Sequence, residues 1–374
     1  MWITLLLIIF IQYILLITLL LIGFESIAEI KTSNGSNPSH QFSIIVVFKN
    51  EAAHLNELLN SFKELNYPKN LFEVILIDDN SSDNSKSIVN EFIKQNNDLN
   101  ISVFDNQNFS NAPKKDGIEL GVQKAKNEWI ITTDADCLVP KTWLLSFDQF
   151  LQKNPELKMI CAPVKYNDEN TILNQFQNIE FLSYQATTIG TFGLKKPIMC
   201  NGANMAFSKK AFVKINGYTN VNHIASGDDV FLLEKMIRKY KTAAIGYLKS
   251  SEAIVITSAV HNLKQLINQR IRWGAKTSFS KNKYNKRIGL SVLLTNVTIL
   301  ILPILCIFEI ISFKQTLLLF ISKVLLDTLL VYKSAQFFKK KISIKTFIIS
   351  CIVYPVFNSY CAVRGLSQPN SKWK

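Results

Sequence analysis

The sequence predicts an α/β domain built on a parallel sheet, flanked by membrane-spanning helices. Three observations predict it. Between residues 42 and 133, apolar β-branched runs alternate with amphipathic runs of helical period, as in a buried parallel sheet with helical crossovers. Acidic residues stand at the ends of several of those runs, the edge where open sheets bind ligands. Long apolar stretches occupy both ends of the 374-residue chain.

Residues 2–24 carry no charge and are long enough to cross a bilayer as a helix. With no basic leading segment and no small-residue cleavage site, they read as an anchor spanning 1–24 and not as a removed signal peptide. Residues 25–40 form the expected linker, polar and Gly/Pro-containing over 31–40. The run 42–48 suits a strand buried on both faces. Asn50 is placed to cap a helix whose apolar face is Leu55, Leu58, Leu59, Phe62 and Leu65. Strands are expected at 72–77, 101–104 and 129–133. Helices are expected around Ile88, Val89, Phe92 and Ile93, and over 114–126, where two glycines fall. Past residue 150 the alternation weakens, and polar, Gly-containing turns at 201–204 and 226–229 each precede a helical run. Residues 262–275 are basic and amphipathic, as in a helix lying along a membrane surface.

The C-terminal part, 286–374, is apolar again. Residues 288–313 can span, as can 316–332, where Lys323 and Asp327 lie four apart on one helix face and can pair. Residues 346–363 contain Pro355 and Asn358. If that segment spans, Arg364, Lys372 and Lys374 end on the outer side, against the positive-inside rule, so an interfacial or re-entrant course is favoured. The basic stretches 281–287 and 339–345 place the catalytic portion, 41–285, in the cytoplasm.

Net charge is +14, from 42 Lys+Arg against 28 Asp+Glu. Nucleic acid is excluded as a partner, because no recognition motif accompanies the charge and many of the basic residues flank apolar spans, where membrane lipids attract them. The six cysteines form no C-x-x-C pair and the four histidines are scattered, which excludes a zinc site and a disulfide framework. Nothing in the sequence sets the oligomeric state.

Asp134 and Asp136, at the end of an apolar strand, are spaced i, i+2. In extended chain they lie on one side and can share one cation. A turn or helix cap would also explain Asp78, Asp79, Glu51, Asp228 and Asp229, and a solvated helix start would explain Lys114 and Lys115. A cation is unfavourable at a helix N-terminus, however, which suggests an anionic ligand there.

Taken together, these pieces resemble the membrane-bound family 2 glycosyltransferases, which have a GT-A fold. The segments run in the family's order: 42–51 ending in Glu51, Asp78-Asp79, Lys114-Lys115, Thr133-Asp134-Ala135-Asp136, 200–204, Ser226-Gly227-Asp228-Asp229, and Gln269, Arg272 and Trp273. The resemblance covers about residues 42–280. It implies inverting transfer of a sugar from a nucleotide-sugar donor, a UDP-sugar, to a lipid-linked or membrane-proximal glycan acceptor, with Mg²⁺ or Mn²⁺ as cofactor, in cell-envelope polysaccharide or glycolipid synthesis at a bacterial inner (plasma) membrane.

The resemblance also implies residue roles. Glu51, Asp78 and Asp79 contact the nucleoside, and Lys114 or Lys115, Lys115 in particular, contacts the diphosphate or ribose. Asp136 contacts the metal, with Asp134 on the ribose or metal. Asp229 is the general base beside Asp228, and Arg272 holds the diphosphate. Asn201, Gly202, Gln269 and Trp273 face the acceptor. Lys49 departs from the family pattern, leaving the base contacts open. A processive polysaccharide synthase of the same family is an alternative. A nucleotidyltransferase lacks its expected Gly-rich phosphate loop, and a non-catalytic glycan-binding membrane protein does not explain the full set of acids.

Overall fold

The computed structural model describes residues 2–33 and 37–367. Residues 34–36 of the expected linker, and Lys372 and Lys374 of the topology argument, lie outside the described residues. The described chain divides into two compact units that do not follow chain order. One gathers 28–33, 37–167 and 199–258, and the other 2–27, 168–198 and 259–367.

The first unit is built on ten strands: β1 (Phe42–Phe48), β2 (Phe72–Asp78), β3 (Ile101–Asp105), β4 (Trp129–Thr132), β5 (Cys137–Leu138), β6 (Met159–Cys161), β7 (Val164–Tyr166), β8 (Met205–Ser208), β9 (Ile245–Tyr247) and β10 (Val255–Thr257). Seven form a sheet in the order β3-β2-β1-β4-β8-β6-β9, and β5-β10-β7 form a second, small sheet. β1 pairs in parallel with β2 and β4, and β2 with β3, as the alternation predicts. Within this sheet β8 alone breaks the parallel pattern, since β9 pairs in parallel with β6. β8 runs antiparallel to both β4 and β6, so the sheet is mixed. The sequence beyond 150 lacks the strand–helix alternation that parallel crossovers require. Every residue of β1 and β2 is buried, while β3 at the sheet edge is only partly so.

Asn50 does not cap the first crossover helix. That helix, Leu55–Lys63, starts at His54 with no side-chain cap. Asn50 instead adopts φ 54°, and its Oδ1 accepts from the Ser82 amide at 2.8 Å. Leu55, Leu58, Leu59 and Phe62 are buried as expected, and Leu65 lies buried just past the helix end. The helix Pro113–Lys124 tolerates its two glycines because it lies unusually close to β1. A Cβ on Gly117 would meet Val47 at 2.8 Å, and one on Gly121 would meet Ile45 at 2.7 Å.

The described residues on either side of 34–36 in the expected linker are tied down by hydrogen bonds. Ile30 N donates to the Lys249 carbonyl (2.8 Å), and Ser33 N to Gln149 Oε1 (3.0 Å). Asp148 Oδ1 accepts from the His40 amide (2.8 Å) and lies 2.7 Å from His40 Nδ1. Burial would raise the Asp148 carboxyl, but these donors hold it below its ordinary value.

In the second unit, four helices are long and apolar enough to cross a membrane: Thr4–Ser26, Lys283–Ile307, Phe313–Phe338 and Ile344–Ser367. The last is one unbroken helix through Pro355 and Asn358, without the break a re-entrant turn needs. Lys323 Nζ and Asp327 Oδ2 pair at 2.7 Å, Tyr13 Oη donates to Asp327, and the ammonium lies 5.6 Å from the Tyr354 ring centre. Helix Trp2–Ser26 crosses helix Ile172–Gly193 backbone to backbone: Cβ atoms on Gly23 and Gly190 would meet the Gly190 and Leu20 carbonyl oxygens at 2.1 and 2.5 Å.

The close seat of Pro113–Lys124 yields a stability prediction. Gly121→Val puts a branched side chain into Ile45, and overpacking of this kind costs about 1–3 kcal/mol. A lowered midpoint in thermal denaturation of the detergent-solubilised protein is the expected outcome; an unchanged midpoint would show that the contact yields freely.

Candidate active site

The first part of the site is made by two loops stitched together. After β1 and β2, Asn50 N donates to Ser81 Oγ (3.0 Å), Glu51 N to Ser85 Oγ (2.8 Å), and Ala52 N to Asp83 Oδ2 (3.2 Å). Glu51, half-buried, is thereby fixed beside the end of β2. Asp78 is buried and its Oδ1 accepts from the Ser81 amide at 3.0 Å. Asp79 is fully buried, and both of its oxygens are engaged: Oδ2 with Lys49 Nζ (3.3 Å) and Oδ1 with Asn106 Nδ2 (3.0 Å). Asn106 Nδ2 also donates to Asn108 Oδ1 and the Pro113 carbonyl (both 2.8 Å), while its buried Oδ1 has no hydrogen-bond partner. Sequence reasoning missed Asn106. The available signal was its place, directly after β3 as Asp79 is directly after β2.

The second part is organised by Lys114, in the first turn of helix Pro113–Lys124. Its Nζ lies 2.6 Å from Asp134 Oδ1, beyond β4, and 3.2 Å from Asp228 Oδ2, in the first turn of helix Asp228–Tyr240. Burial works against the ammonium, but Asp134, Asp228 and Asp229 outweigh it and hold its pKa well above the ordinary lysine value. A raised lysine pKa leaves this ion pair intact throughout the neutral range; it is lost only as pH rises through the folded value.

Asp228 is placed by backbone. Gly227, at φ 82°, supplies the left-handed turn that starts the helix, and Gly202 lies so close that a Cβ there would stand 2.7 Å from Asp228 Oδ2. Acids in a first turn are favoured by the helix dipole. Asp229 is half-buried, with Oδ1 accepting from the Val230 amide at 2.7 Å. Asp136 Oδ2 accepts from Thr257 Oγ1 on β10 at 3.3 Å. No sequence signal marked Thr257, which sits in a three-residue strand.

Lys115 does not take the donor-facing place expected of it. Its ammonium, 1% exposed, donates to the carbonyls of Val221 (2.8 Å), Ile224 (2.7 Å) and Ser226 (3.0 Å). An ammonium has three protons, and three carbonyls engage them. Successive side chains on a helix point about 100° apart, so only Lys114 can face the acids. Asn201 Oδ1 accepts from the Ala203 amide (3.0 Å), capping a short turn. Asn204 ties that turn to three other segments through Pro163, Ala253 and Trp143.

Gln269, Arg272 and Trp273 lie in the second unit, on helix Leu263–Phe279, which Asn262 caps. The structure adds Arg270, which sequence reasoning passed over. It is buried, its Nε donates to Glu180 Oε2 at 2.9 Å, and its guanidinium lies 4.3 Å from the Trp273 ring centre. Tyr184 Oη donates to Glu180 Oε1 at 3.1 Å, and the Phe181 and Tyr184 rings pack against Trp273.

A divalent metal is what the acids suggest, so its fit matters. Among the described residues, no group of three or more His, Cys, Asp or Glu is arranged to hold a metal ion. Mg²⁺ at phosphate substrates is usually held by one or two carboxylates and completed by phosphate oxygens and water; Asp136 and Asp134 are the carboxylates that would supply that mode here.

Residues 43–215 match the family model described as glycosyl transferase family 2. The chain carries a family 2 glycosyltransferase domain. Its relatives include a poly-β-1,6-N-acetyl-D-glucosamine synthase of Staphylococcus epidermidis, 25% identical over 236 residues, covering 62% of this chain and 53% of that one. The protein of the same name from Staphylococcus aureus (strain COL) is 25% identical over 232 residues, covering 60% and 51%. The chain thus spans about half the length of the curated relatives it matches. Among solved structures, a mannosyltransferase, PcManGT from Pyrobaculum calidifontis, in complex with GDP-Man and Mn²⁺, superposes with a TM-score of 0.59 at 15% identity, covering 97% of this chain and 98% of that one. That likeness shows a shared GT-A fold.

The sheet-bearing unit holds its 221–226 loop through Lys115. Lys115→Met leaves three carbonyls without their charged donor, at a cost of about 3 kcal/mol. The expected outcome is faster proteolytic cleavage within 219–226. Cleavage at the wild-type rate would show that the clamp is dispensable.

Proposed function

We propose that the chain is an inverting, metal-dependent glycosyltransferase that moves a sugar from a nucleoside-diphosphate sugar, a UDP-sugar, to a lipid-linked or membrane-proximal glycan acceptor. The observation that carries this reading is the meeting of Asp134 and Asp228, from separate segments, on the single ammonium of Lys114. The relatives' name, a poly-N-acetylglucosamine synthase, supports a hexosamine-type donor and a glycan acceptor. The printed ligands of the mannosyltransferase, GDP-Man and Mn²⁺, support a nucleotide-sugar donor with a divalent ion.

In this reading Asp78, Asp79 and Glu51 hold the nucleoside, and Lys114 turns to the diphosphate, with Arg272 assigned to the same group. Asp136, with Asp134, would hold the metal, which when bound neutralises charge on the departing diphosphate. Asp229 is the proton acceptor. Asp228 is less suited to that task, because Lys114 pairs with it and Gly202 presses on it. The acceptor hydroxyl oxygen forms a bond to the anomeric carbon as its proton passes to Asp229. The carbon–oxygen bond to phosphate breaks, and the nucleoside diphosphate leaves with the electron pair. One displacement inverts the centre. Trp273 is assigned to an acceptor sugar, together with Gln269, Asn201 and Gly202. The expected setting is a bacterial plasma membrane, with the sheet-bearing unit on the cytoplasmic side.

Purified protein should release nucleoside diphosphate from one of a panel of nucleotide sugars when Mg²⁺ or Mn²⁺ is present. Release of pyrophosphate would instead mark a nucleotidyltransferase, and binding without turnover a non-catalytic protein. Asp229→Asn should lower transfer by about 10²–10⁴-fold with donor affinity retained. Asp136→Ala should weaken metal-dependent donor binding in calorimetry, and an unchanged affinity would remove Asp136 from the metal. The relatives' name also favours a second reading, repeated addition by a polysaccharide synthase. Mass spectrometry of the product separates single from multiple sugar additions.

A further inference from the structure

We propose that Lys114 is a built-in counter-ion: it holds the cation position between Asp134 and Asp228 until a nucleoside diphosphate draws it away, so that metal binding and donor binding are coupled. The proposal rests on the donor reading above. One ammonium nitrogen stands 2.6 Å from one carboxylate and 3.2 Å from the other, and the two acids reach it from different segments. Without that nitrogen, two carboxylates converging on one point would repel each other, the arrangement that attracts a divalent cation.

The lysine's placement is otherwise unfavourable. It lies in a first helical turn, where the dipole opposes a cation. Its side chain is only 17% exposed. Its neighbour Lys115 anchors the same turn through three carbonyls, so the backbone is fixed and only the Lys114 side chain is left to swing. A diphosphate offers that ammonium a more highly charged partner than a carboxylate does. Once Lys114 turns to it, Asp134 is released to a metal ion arriving with the phosphate.

Two consequences follow for a metal alone. Lys114 competes with it for Asp134, so the metal binds weakly by itself. By linkage, a nucleoside diphosphate tightens metal binding and the metal tightens nucleotide binding by the same factor.

The experiment is a Mn²⁺ titration of full-length protein in detergent, read by electron paramagnetic resonance of the free ion, with and without UDP. Wild type should bind Mn²⁺ weakly, and UDP should tighten it by about 5–150-fold. Lys114→Met should bind Mn²⁺ alone about tenfold or more tightly than wild type, and UDP should tighten it by a smaller factor than in wild type. Lys94→Met, at an exposed lysine remote in sequence from both acids, controls for net charge and should leave the Mn²⁺ affinity as it is. Lys114→Gln provides the same comparison if the methionine variant folds poorly.

Mn²⁺ affinity in the Lys114 variants no tighter than in wild type would overturn the counter-ion. So would a wild-type Mn²⁺ affinity indifferent to bound UDP. Loss of a diphosphate contact alone would not tighten metal binding in the absence of nucleotide. If the variants tighten on Mn²⁺ while no nucleotide binds at all, the donor reading fails and the competition between Lys114 and metal stands.

Discussion

Carboxylates brought together in a largely buried space repel, and the fold of the sheet-bearing unit is arranged around answering that repulsion. Asp134 and Asp228 share Lys114, and Asp79 is matched by Lys49. The surrounding backbone keeps these partners in reach. Gly117 and Gly121 bring helix Pro113–Lys124 down onto β1, which sets the height at which Lys114 emerges. Gly227 and Gly202 fix the carboxylate of Asp228 from two sides. Small residues at those positions are thus electrostatic devices as much as packing ones. They allow charges to be placed by backbone, which loses little entropy compared with ordering long side chains.

Much of this was legible in the sequence. β1, β2 and β4 are continuous apolar runs, and a run buried on both faces admits few alternatives to a central strand. The acids fall at the carboxyl ends of those strands because each run stops at a charge: Ile77 before Asp78, Thr133 before Asp134. Less legible was anything decided by direction or by distant partners. β8 has the same apolar character as β4 but runs against it, and composition does not encode strand direction. Lys114 and Lys115 are adjacent and chemically identical, and only the helix rotation separates a lysine that meets carboxylates from one that meets carbonyls. Arg270 was hidden for a related reason: its partner Glu180 lies 90 residues away, in the middle of a helix.

The division into two units was not legible either. Helix Ile172–Gly193 is flanked in sequence by strands of the two sheets, yet it packs within the unit of long apolar helices. Its mixed face, with Glu180 and Gln177 buried among apolar side chains, has neither a membrane-span composition nor an ordinary surface-helix stripe. Such a helix is understood only through its partners, and in this chain one partner is a helix made far earlier.

That partnership bears on biogenesis. Helix Trp2–Ser26 leaves the ribosome well before the glycines it crosses, Gly190 and Gly193, are translated. Until then its Gly23 face lacks the backbone it packs against in the folded chain. The backbone approach there leaves no room for a side chain, so a generic apolar segment of equal length cannot stand in for it. Helix Trp2–Ser26 is a component that waits for its place to be built, and its sequence is constrained by a neighbour that does not yet exist when it is made.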